Sequence, residues 1–258
     1  MVETSFVRSG FGLVALALVP AALSAGLALA APSGTGVRNA NALTDATALA
    51  VPKSISGPVR VVDGDTLDIG ATRVRLEGID APEAGQTCPA RYLGGALGPW
   101  NCGQAATSRL RHLTTLTTVT CEPTGSDTHG RTLAICYAAG RDLNAELVRA
   151  GLAWAFVKYS DRYVREEAEA RRRRLGIWES PEAPQPAWEY RSLRWTLAAT
   201  GAPEGCAIKG NISEGGHIYH TPWSPWYDKV SIDIARGERW FCDEAEAIKA
   251  GWRAAVVR

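Results

Sequence analysis

Alternating apolar and polar positions in the middle of the chain predict short β-strands joined by turns. Many of the apolar positions hold β-branched side chains, which favour strands. The predicted strands span 59–69, 73–79, 119–122 and 133–138. Gly70 separates the first two and predicts a hairpin, and a polar turn at 125–130 joins the last two.

Apolar positions spaced three or four residues apart predict helices around these strands. The helices are expected at 103–116, 143–150, 163–175 and 188–199. Four consecutive arginines, at 171–174, end the third of them. Because neighbouring residues on a helix point in different directions, a solvated helix end is favoured here over a nucleic-acid-binding patch.

The N-terminal part carries an uncharged apolar run at 11–31, which follows Arg8 and ends in small residues. This pattern is typical of an export signal, and cleavage after Ala30 fits the small-residue rule. The run is also long enough for an uncleaved membrane anchor, but Pro20 and Gly26 favour cleavage.

The order of these features predicts one main domain of the α+β class, mainly β with helices, and a small accessory domain. A Pro-rich stretch ends the main domain, and four tryptophans supply apolar bulk for the accessory domain. The segments are a signal peptide or membrane anchor at 1–31, a flexible spacer at 32–56, the main domain at 57–180, a linker at 181–205 and the accessory domain at 206–258.

The composition fits a folded protein and does not identify a partner. Of the 258 residues, 46% are hydrophobic, which argues against general disorder. With 28 basic and 27 acidic side chains the net charge is only +1, so binding of nucleic acid has to come from a local arrangement.

Six cysteines, an even number in a chain with an export pattern, predict disulfide bonds. Sequence order favours three local pairs, although other connectivities stay open. The pairs are Cys88 with Cys102, Cys121 with Cys136, and Cys206 with Cys242. The alternative for the last pair is a zinc site of Cys206, His217, His220 and Cys242. The wide spacing of those two cysteines favours the disulfide.

An acidic cluster is predicted around the first hairpin. Asp63 and Asp65 are two residues apart, so in a β-segment their side chains share one face. Asp80 and Glu83 lie on a Pro-stiffened turn after the next strand and can complete the cluster across the hairpin. Adjacent carboxylates need a cation, and an all-oxygen set favours calcium or magnesium over zinc.

Two arginines, Arg75 and Arg131, accompany the acidic cluster in sequence. A guanidinium presents a fork of donors that matches two phosphate oxygens. Each residue taken alone is explained as well by a turn, a surface ion pair or a hairpin cap. Together, a metal-binding carboxylate cluster and paired arginines indicate hydrolysis of a phosphodiester.

These residues fall in three runs, at 61–67, 75–83 and 127–131. In this order and spacing the runs resemble the staphylococcal nuclease (thermonuclease) family, and the resemblance extends from about Pro58 to Trp178. It implies an OB-fold barrel of five strands with packed helices, a fold that grips nucleic acid in a groove. The segment from 206 onward resembles a small module of other exported bacterial nucleases, from which no activity follows.

The resemblance implies a calcium site. It makes Asp65 and Asp80 side-chain ligands of Ca2+ and the backbone carbonyl of Ala81 a third ligand. Asp63 is then expected to act on the ion through water. The family often has threonine where this chain has Ala81, an exchange that a main-chain ligand tolerates.

The resemblance also implies catalytic roles. Glu83 is expected to be the general base for the attacking water, while Arg75 and Arg131 clamp the phosphate and stabilise the transition state. A guanidinium hardly deprotonates, so neither arginine is expected to donate a proton. His129 stands where the best-known member has tyrosine, and its ring can still stack on a base or sugar of the substrate.

These features predict an exported, calcium-dependent nuclease, an endonuclease-type hydrolase that cuts DNA, RNA or both with little regard for sequence. It is expected to be a monomer, secreted or periplasmic, with membrane attachment if the N-terminal segment is not cleaved. Two other interpretations stay open: an inactive OB-fold module that only binds nucleic acid, and an envelope-associated module attached through its Trp-rich C-terminal part. The presence of Glu83 argues against the first, since binding alone needs no general base.

Overall fold

The computed structural model describes residues 54–93 and 96–256, which all belong to one compact unit. The predicted signal or anchor and nearly all of the predicted spacer lie outside the described residues. Among the residues described, no helix is long and apolar enough to cross a membrane.

Short strands make up most of the regular structure. The strands are β1 Ile55–Gly57, β2 Val59–Val61, β3 Thr66–Ile69, β4 Thr72–Leu76, β5 Ile79–Asp80, β6 Cys88–Leu93, β7 Ala96–Trp100, β8 Val119–Ser126, β9 Thr132–Ala138, β10 Arg141–Asp142, β11 Trp154–Ala155, β12 Ile208–Ser213, β13 Gly216–His220, β14 Arg239–Phe241 and β15 Arg253–Ala254. β1 begins inside the segment predicted as spacer.

The helices follow the predicted order along the chain. They are α1 Cys102–Thr114, α2 Leu143–Arg149, α3 Val164–Arg172, α4 Ala187–Ala199 and α5 Glu244–Lys249. Single 3-10 turns lie at Gly176–Trp178, Pro203–Gly205, Tyr227–Lys229 and Ile234–Arg236. The arginines at 171–174, at the end of α3, are exposed to solvent, as expected. Arg172 and Arg173 both pair with Glu169 on the same helix.

The main sheet has the order β1-β8-β9-β4-β3-β2, with β10 added to β9. Only the β4–β9 pair is parallel among these neighbours. Since Pro58 alone separates β1 from β2, the two ends of this order belong to one continuous stretch of chain. The sheet therefore curls back on itself as a partly open barrel, which confirms the predicted α+β class and OB architecture.

The predicted strand at 59–69 is wrong in its middle. Residues between Val61 and Thr66 form a turn, in which the Asp63 carboxylate accepts the amide N–H of Asp65 at 3.1 Å. Val62 closes the turn by donating its N–H to the Thr66 carbonyl at 2.9 Å. An Asp side chain that captures the amide two residues later competes with the strand ladder. A turn therefore brings Asp63 and Asp65 together, and not the alternation of side chains along a strand that the sequence predicted.

The barrel core is apolar with one buried amide at its centre. Leu67, Val74 and Leu110 are fully buried in it. Asn144 of α2 is buried too, and its side chain donates to the Glu77 carbonyl at 2.9 Å and accepts the Cys136 amide at 3.3 Å. This amide satisfies backbone groups that would otherwise be unpaired, and it ties α2 to the barrel.

The C-terminal part forms a separate sheet with the order β14-β12-β13-β15 and its own apolar core. Gly210 of β12 has no room for a side chain, because a Cβ there would lie 2.5 Å from the Phe241 ring and 2.8 Å from the Trp252 ring. The two rings pack edge to face at 5.3 Å. In this small core, aromatic rings therefore pack directly against the backbone of a glycine.

All three predicted disulfide pairs are present. The bonds join Cys88 to Cys102, Cys121 to Cys136, and Cys206 to Cys242. Because Cys206 and Cys242 have no free thiolates, the zinc alternative is excluded. His217 instead stacks on Trp252 at 4.8 Å.

Reduction should lower the melting temperature. The first two bonds close loops with sequence separations of 14 and 15 residues. A loop of that length is worth about 3 kcal/mol through the entropy of the unfolded chain. Thermal unfolding with and without dithiothreitol measures the effect, and mass spectrometry confirms the reduced state. A melting temperature that does not change after verified reduction would contradict this expectation.

Candidate active site

The turn after β2 places Asp65 at the centre of the predicted cluster. Its Oδ2 accepts the Ala81 amide at 2.7 Å, and the side chain is almost fully buried. Gly64 lets α1 approach, because a Cβ there would lie 2.8 Å from the Cβ atoms of both Ala81 and Ala106. Close packing of α1 against the turn thus fixes the carboxylate of Asp65 beside the segment that carries Asp80.

Arg75 of β4 binds both predicted metal-binding carboxylates. Its Nη1 contacts Asp65 Oδ1, and its Nη2 lies 2.6 Å from Asp80 Oδ1. The two carboxylates therefore converge on one cationic group. Burial opposes the charge of Arg75, but Asp65 and Asp80 raise the pKa of Arg75 above its usual value and keep the guanidinium charged.

A second guanidinium, from Arg191 of α4, was not predicted from the sequence. Its Nη2 lies 2.8 Å from Asp80 Oδ2, and its Nη1 lies 2.7 Å from Glu83 Oε1. The pKa of Arg191 is raised despite burial, since Glu83 and Asp80 both favour the charged form. No sequence signal indicates this residue, because nothing in α4 shows that the helix docks on the acidic cluster.

Gln86 holds the loop that carries Glu83. Its side-chain oxygen accepts the Glu83 amide at 3.1 Å, and its backbone amide donates to the Glu83 carbonyl at 2.7 Å. Its side-chain amide group donates to the Gln185 carbonyl at 2.7 Å. Gly103 of α1 packs directly on the Glu83 carbonyl. The loop that carries Glu83 is therefore held by Gln86 and by the packing of α1.

The site carries more buried negative charge than its arginines balance. Burial raises the pKa of Asp65 to about 7, although Arg75 opposes the shift. Burial also raises the pKa of Glu83 to about 8, opposed by Arg191 and reinforced by Asp63 and Asp65. An added cation would lower both pKa values, because it favours the ionised carboxylates.

Arg131 and His129 lie on the turn between β8 and β9. Asp127 organises this turn by accepting the amides of His129 and Arg131, each at 2.9 Å, and by pairing with Arg131 Nε at 2.6 Å. Arg131 therefore stabilises the turn of its own hairpin, the alternative role considered for it from the sequence. Arg131 and His129 also line one cavity of about 770 Å³ together with Asp63, Arg75 and Glu83, so Arg131 faces the same space as two of the four acidic residues.

The donor chemistry fits a hard divalent cation. Within the described part of the chain, no three His, Cys, Asp or Glu side chains are arranged as a ready metal cage. Asp65 and Asp80 nevertheless each direct a carboxylate oxygen at the guanidinium of Arg75. Buried oxygen donors with unbalanced negative charge are the ligands that calcium prefers.

Fold and site together define a class of protein. A curled OB-type barrel presents a cavity that combines buried carboxylates with arginines suited to phosphate. This is the arrangement of a phosphodiester hydrolase that acts on nucleic acid.

Comparisons with known proteins agree with this class. A family model described as staphylococcal nuclease homologue matches residues 73–180, and one described as ArfC matches residues 193–254. The chain is 38% identical over 150 residues to a micrococcal nuclease of Shigella flexneri, covering 52% of this chain and 78% of that protein. It is 34% identical over 140 residues to an uncharacterized endonuclease of Escherichia coli O157:H7, covering 52% and 82%. The chain belongs to the staphylococcal nuclease family and is a nuclease, a hydrolase of phosphodiester bonds.

Replacing Gly103 by alanine should disrupt the site through the loop of Glu83. The added Cβ would lie 1.6 Å from the Glu83 carbonyl oxygen, so α1 and the loop must separate. Overpacking of this kind costs about 1–3 kcal/mol. Gly103→Ala should therefore lower both the melting temperature and the cleavage rate. The matched control is Gly125→Ala, whose added Cβ meets no atom within 4 Å. Equal stability and rate for the two variants would contradict this account of the loop.

Proposed function

We propose that this protein is an exported, calcium-dependent endonuclease that cuts DNA, RNA or both with low sequence specificity. The observation that carries the proposal is the convergence of the Asp65 and Asp80 carboxylates on Arg75, which lines one cavity together with Glu83 and Arg131. Family membership supplies the nuclease activity, and the geometry supports the finer assignments.

Asp65, Asp80 and the carbonyl of Ala81 would hold the calcium ion, with Asp63 acting through water. Bound there, calcium supplies positive charge beside the scissile phosphate. Both oxygens of Asp80 are bonded to guanidinium groups in this structure. A calcium ion there would compete with Arg75 for Oδ1 of Asp80 and with Arg191, which comes from outside the barrel, for both oxygens.

Glu83 would act as general base. A base works best when its pKa lies near the operating pH. Burial raises the pKa of Glu83 to about 8, and a cation bound beside it would lower that pKa toward the operating range. Its Oε1 is bonded to Arg191 at 2.7 Å. Release of that bond frees the carboxylate to accept a proton from the attacking water.

Arg75 and Arg131 would bind the phosphate oxygens and stabilise the charge of the transition state. His129 lines the same cavity and can stack on a base or sugar. Contacts to phosphate and to ring faces do not read base edges, which supports low sequence specificity.

The disulfides support export, because such bonds persist in oxidising compartments. Together with the apolar run at 11–31, they favour a secreted or periplasmic protein. The catalytic domain is assigned to 57–180 and the accessory domain to 206–258, in a monomer. If the N-terminal segment is not cleaved, it would attach the protein to the membrane.

Metal removal should abolish cleavage. Plasmid and single-stranded DNA should stay intact in chelator, and calcium should restore cutting better than magnesium, whose strict octahedron fits a loose carboxylate set poorly. Calcium should also raise the melting temperature of the parent protein. Asp65→Asn should lose that rise, whereas Asp161→Asn, an exposed control, should keep it. Full cleavage activity in the presence of chelator would refute the proposed calcium dependence.

Glu83→Gln separates an enzyme from an inactive binding module. The substitution keeps the size and one oxygen but removes the base, so cleavage should fall at least about 100-fold while DNA affinity changes little. Arg75→Ala and Arg131→Ala should weaken binding as well as rate, because each removes a charged fork. Rates and affinities are compared at one salt concentration, since phosphate binding depends on salt.

Glu122→Gln is the matched control for this series, because Glu122 is exposed on β8. It should leave rate and affinity at the parental level. If Glu83→Gln cut DNA at the parental rate, Glu83 would not be the base.

A further inference from the structure

The cavity beside the acidic cluster is lined by two different parts of the chain. Glu83 and Arg131 belong to the segment 73–180 that matches the nuclease family. Trp195 of α4 and Trp223 of the loop after β13 line the same cavity but lie outside that segment. The nuclease segment alone therefore does not complete the walls of this cavity.

Direct contacts fix these tryptophans relative to the barrel. Arg73 of β4 donates from Nη1 to the Tyr219 hydroxyl of β13 at 2.9 Å. Gly85 packs against the loop after β13, since a Cβ there would lie 3.1 Å from the Trp223 carbonyl oxygen. The loop that carries Trp223 is therefore held against the segment that carries Glu83.

Helix geometry places Trp195 close to the carboxylates. Arg191 and Trp195 are four residues apart on α4, so their side chains share one face of the helix. Arg191 holds Glu83 at 2.7 Å, and Trp195 follows about one helical turn, ~5.4 Å, further along. The Trp195 and Trp223 rings are neighbours, with centroids 6.5 Å apart and planes tilted by 40°.

Both rings are only partly buried, so each keeps area on the cavity. Proteins bind single-stranded nucleic acid by stacking its bases on aromatic side chains and binding its phosphates with basic residues. Stacking does not depend on sequence, because every base has a face that can stack. We infer that Trp195 and Trp223 form a base-stacking subsite for single-stranded nucleic acid whose phosphate lies at Arg75 and Arg131. The inference rests on the proposed nuclease function.

The size of the cavity indicates which form of nucleic acid enters. Its volume, about 770 Å³, is that of a small-molecule pocket. A base in a duplex is covered by its neighbours on both faces, whereas an unpaired base presents a free face to an indole ring. The subsite therefore selects unpaired strands, and duplexes enter it only where they open.

Binding of short oligonucleotides in chelator tests the subsite without cleavage. The probes are a thymidine pentanucleotide and an abasic pentamer with the same phosphates. The parent should bind the thymidine probe more tightly than the abasic probe, measured by tryptophan fluorescence and by calorimetry. Trp223→Leu should weaken thymidine binding by about 5-fold to 100-fold and leave abasic binding unchanged.

Three further variants test whether a purely structural effect explains the result. Trp223→Phe keeps a stacking face and should restore most of the preference for thymidine. Trp240→Leu removes a tryptophan of the same C-terminal part that does not line the cavity, and it should bind both probes as the parent does. Trp195 also packs on the C-terminal core, so Trp195→Phe, compared with the parent by melting temperature, is the milder test at that position.

The outcomes separate this inference from the proposed function. Equal binding of the two probes by the parent, failure of the parent to bind either, or unchanged binding by Trp223→Leu overturns the stacking subsite. Cleavage of DNA by the parent with calcium, measured in parallel, decides the proposed function. Normal cleavage with no stacking preference would therefore reject the subsite alone, and stacking without cleavage would reject the nuclease assignment alone.

Discussion

Burial of three carboxylates beside two guanidinium groups is the constraint on which this site depends. Asp65, Asp80 and Glu83 are removed from water, and isolated buried carboxylates are strongly disfavoured. Arg75 and Arg191 supply the compensating charge through direct contacts. Burial raises the pKa values of Asp65 and Glu83 even so, and neighbouring carboxylates add to the shift in each case.

The surrounding fold serves to bring these charges together without leaving backbone groups unpaired. A turn held by the Asp63 side chain carries Asp65, and the Ala81 amide bonds to its carboxylate. α1 packs closely against Gly64 of this turn, and Gly103 of α1 packs against the loop of Glu83. These two contacts fix the positions of the turn and the loop. Both glycines are therefore required by the close approach of α1, since a single added carbon would separate the elements that hold the acidic groups.

The sequence predicted the part of the site that lies in one local motif. Asp65, Arg75 and Asp80 come from adjacent turns and strands, so short-range spacing is enough to place them together. Arg191 contacts Asp80 across a sequence separation of 111 residues, and no periodicity indicates which face of α4 docks there. The strand predicted at 59–69 was wrong in its middle because β-branched composition outweighed the turn chemistry of Asp63.

The position of Arg191 connects two parts of the chain through charge. Its guanidinium neutralises Asp80 and Glu83, although it comes from α4, outside the segment that carries those carboxylates. On the calcium-dependent function proposed above, a cation held by Asp80 would share that neutralisation, and the carboxylates would hold Arg191 less tightly. Arg191 lines the same cavity as Arg131 and would then add to the positive charge available to phosphate.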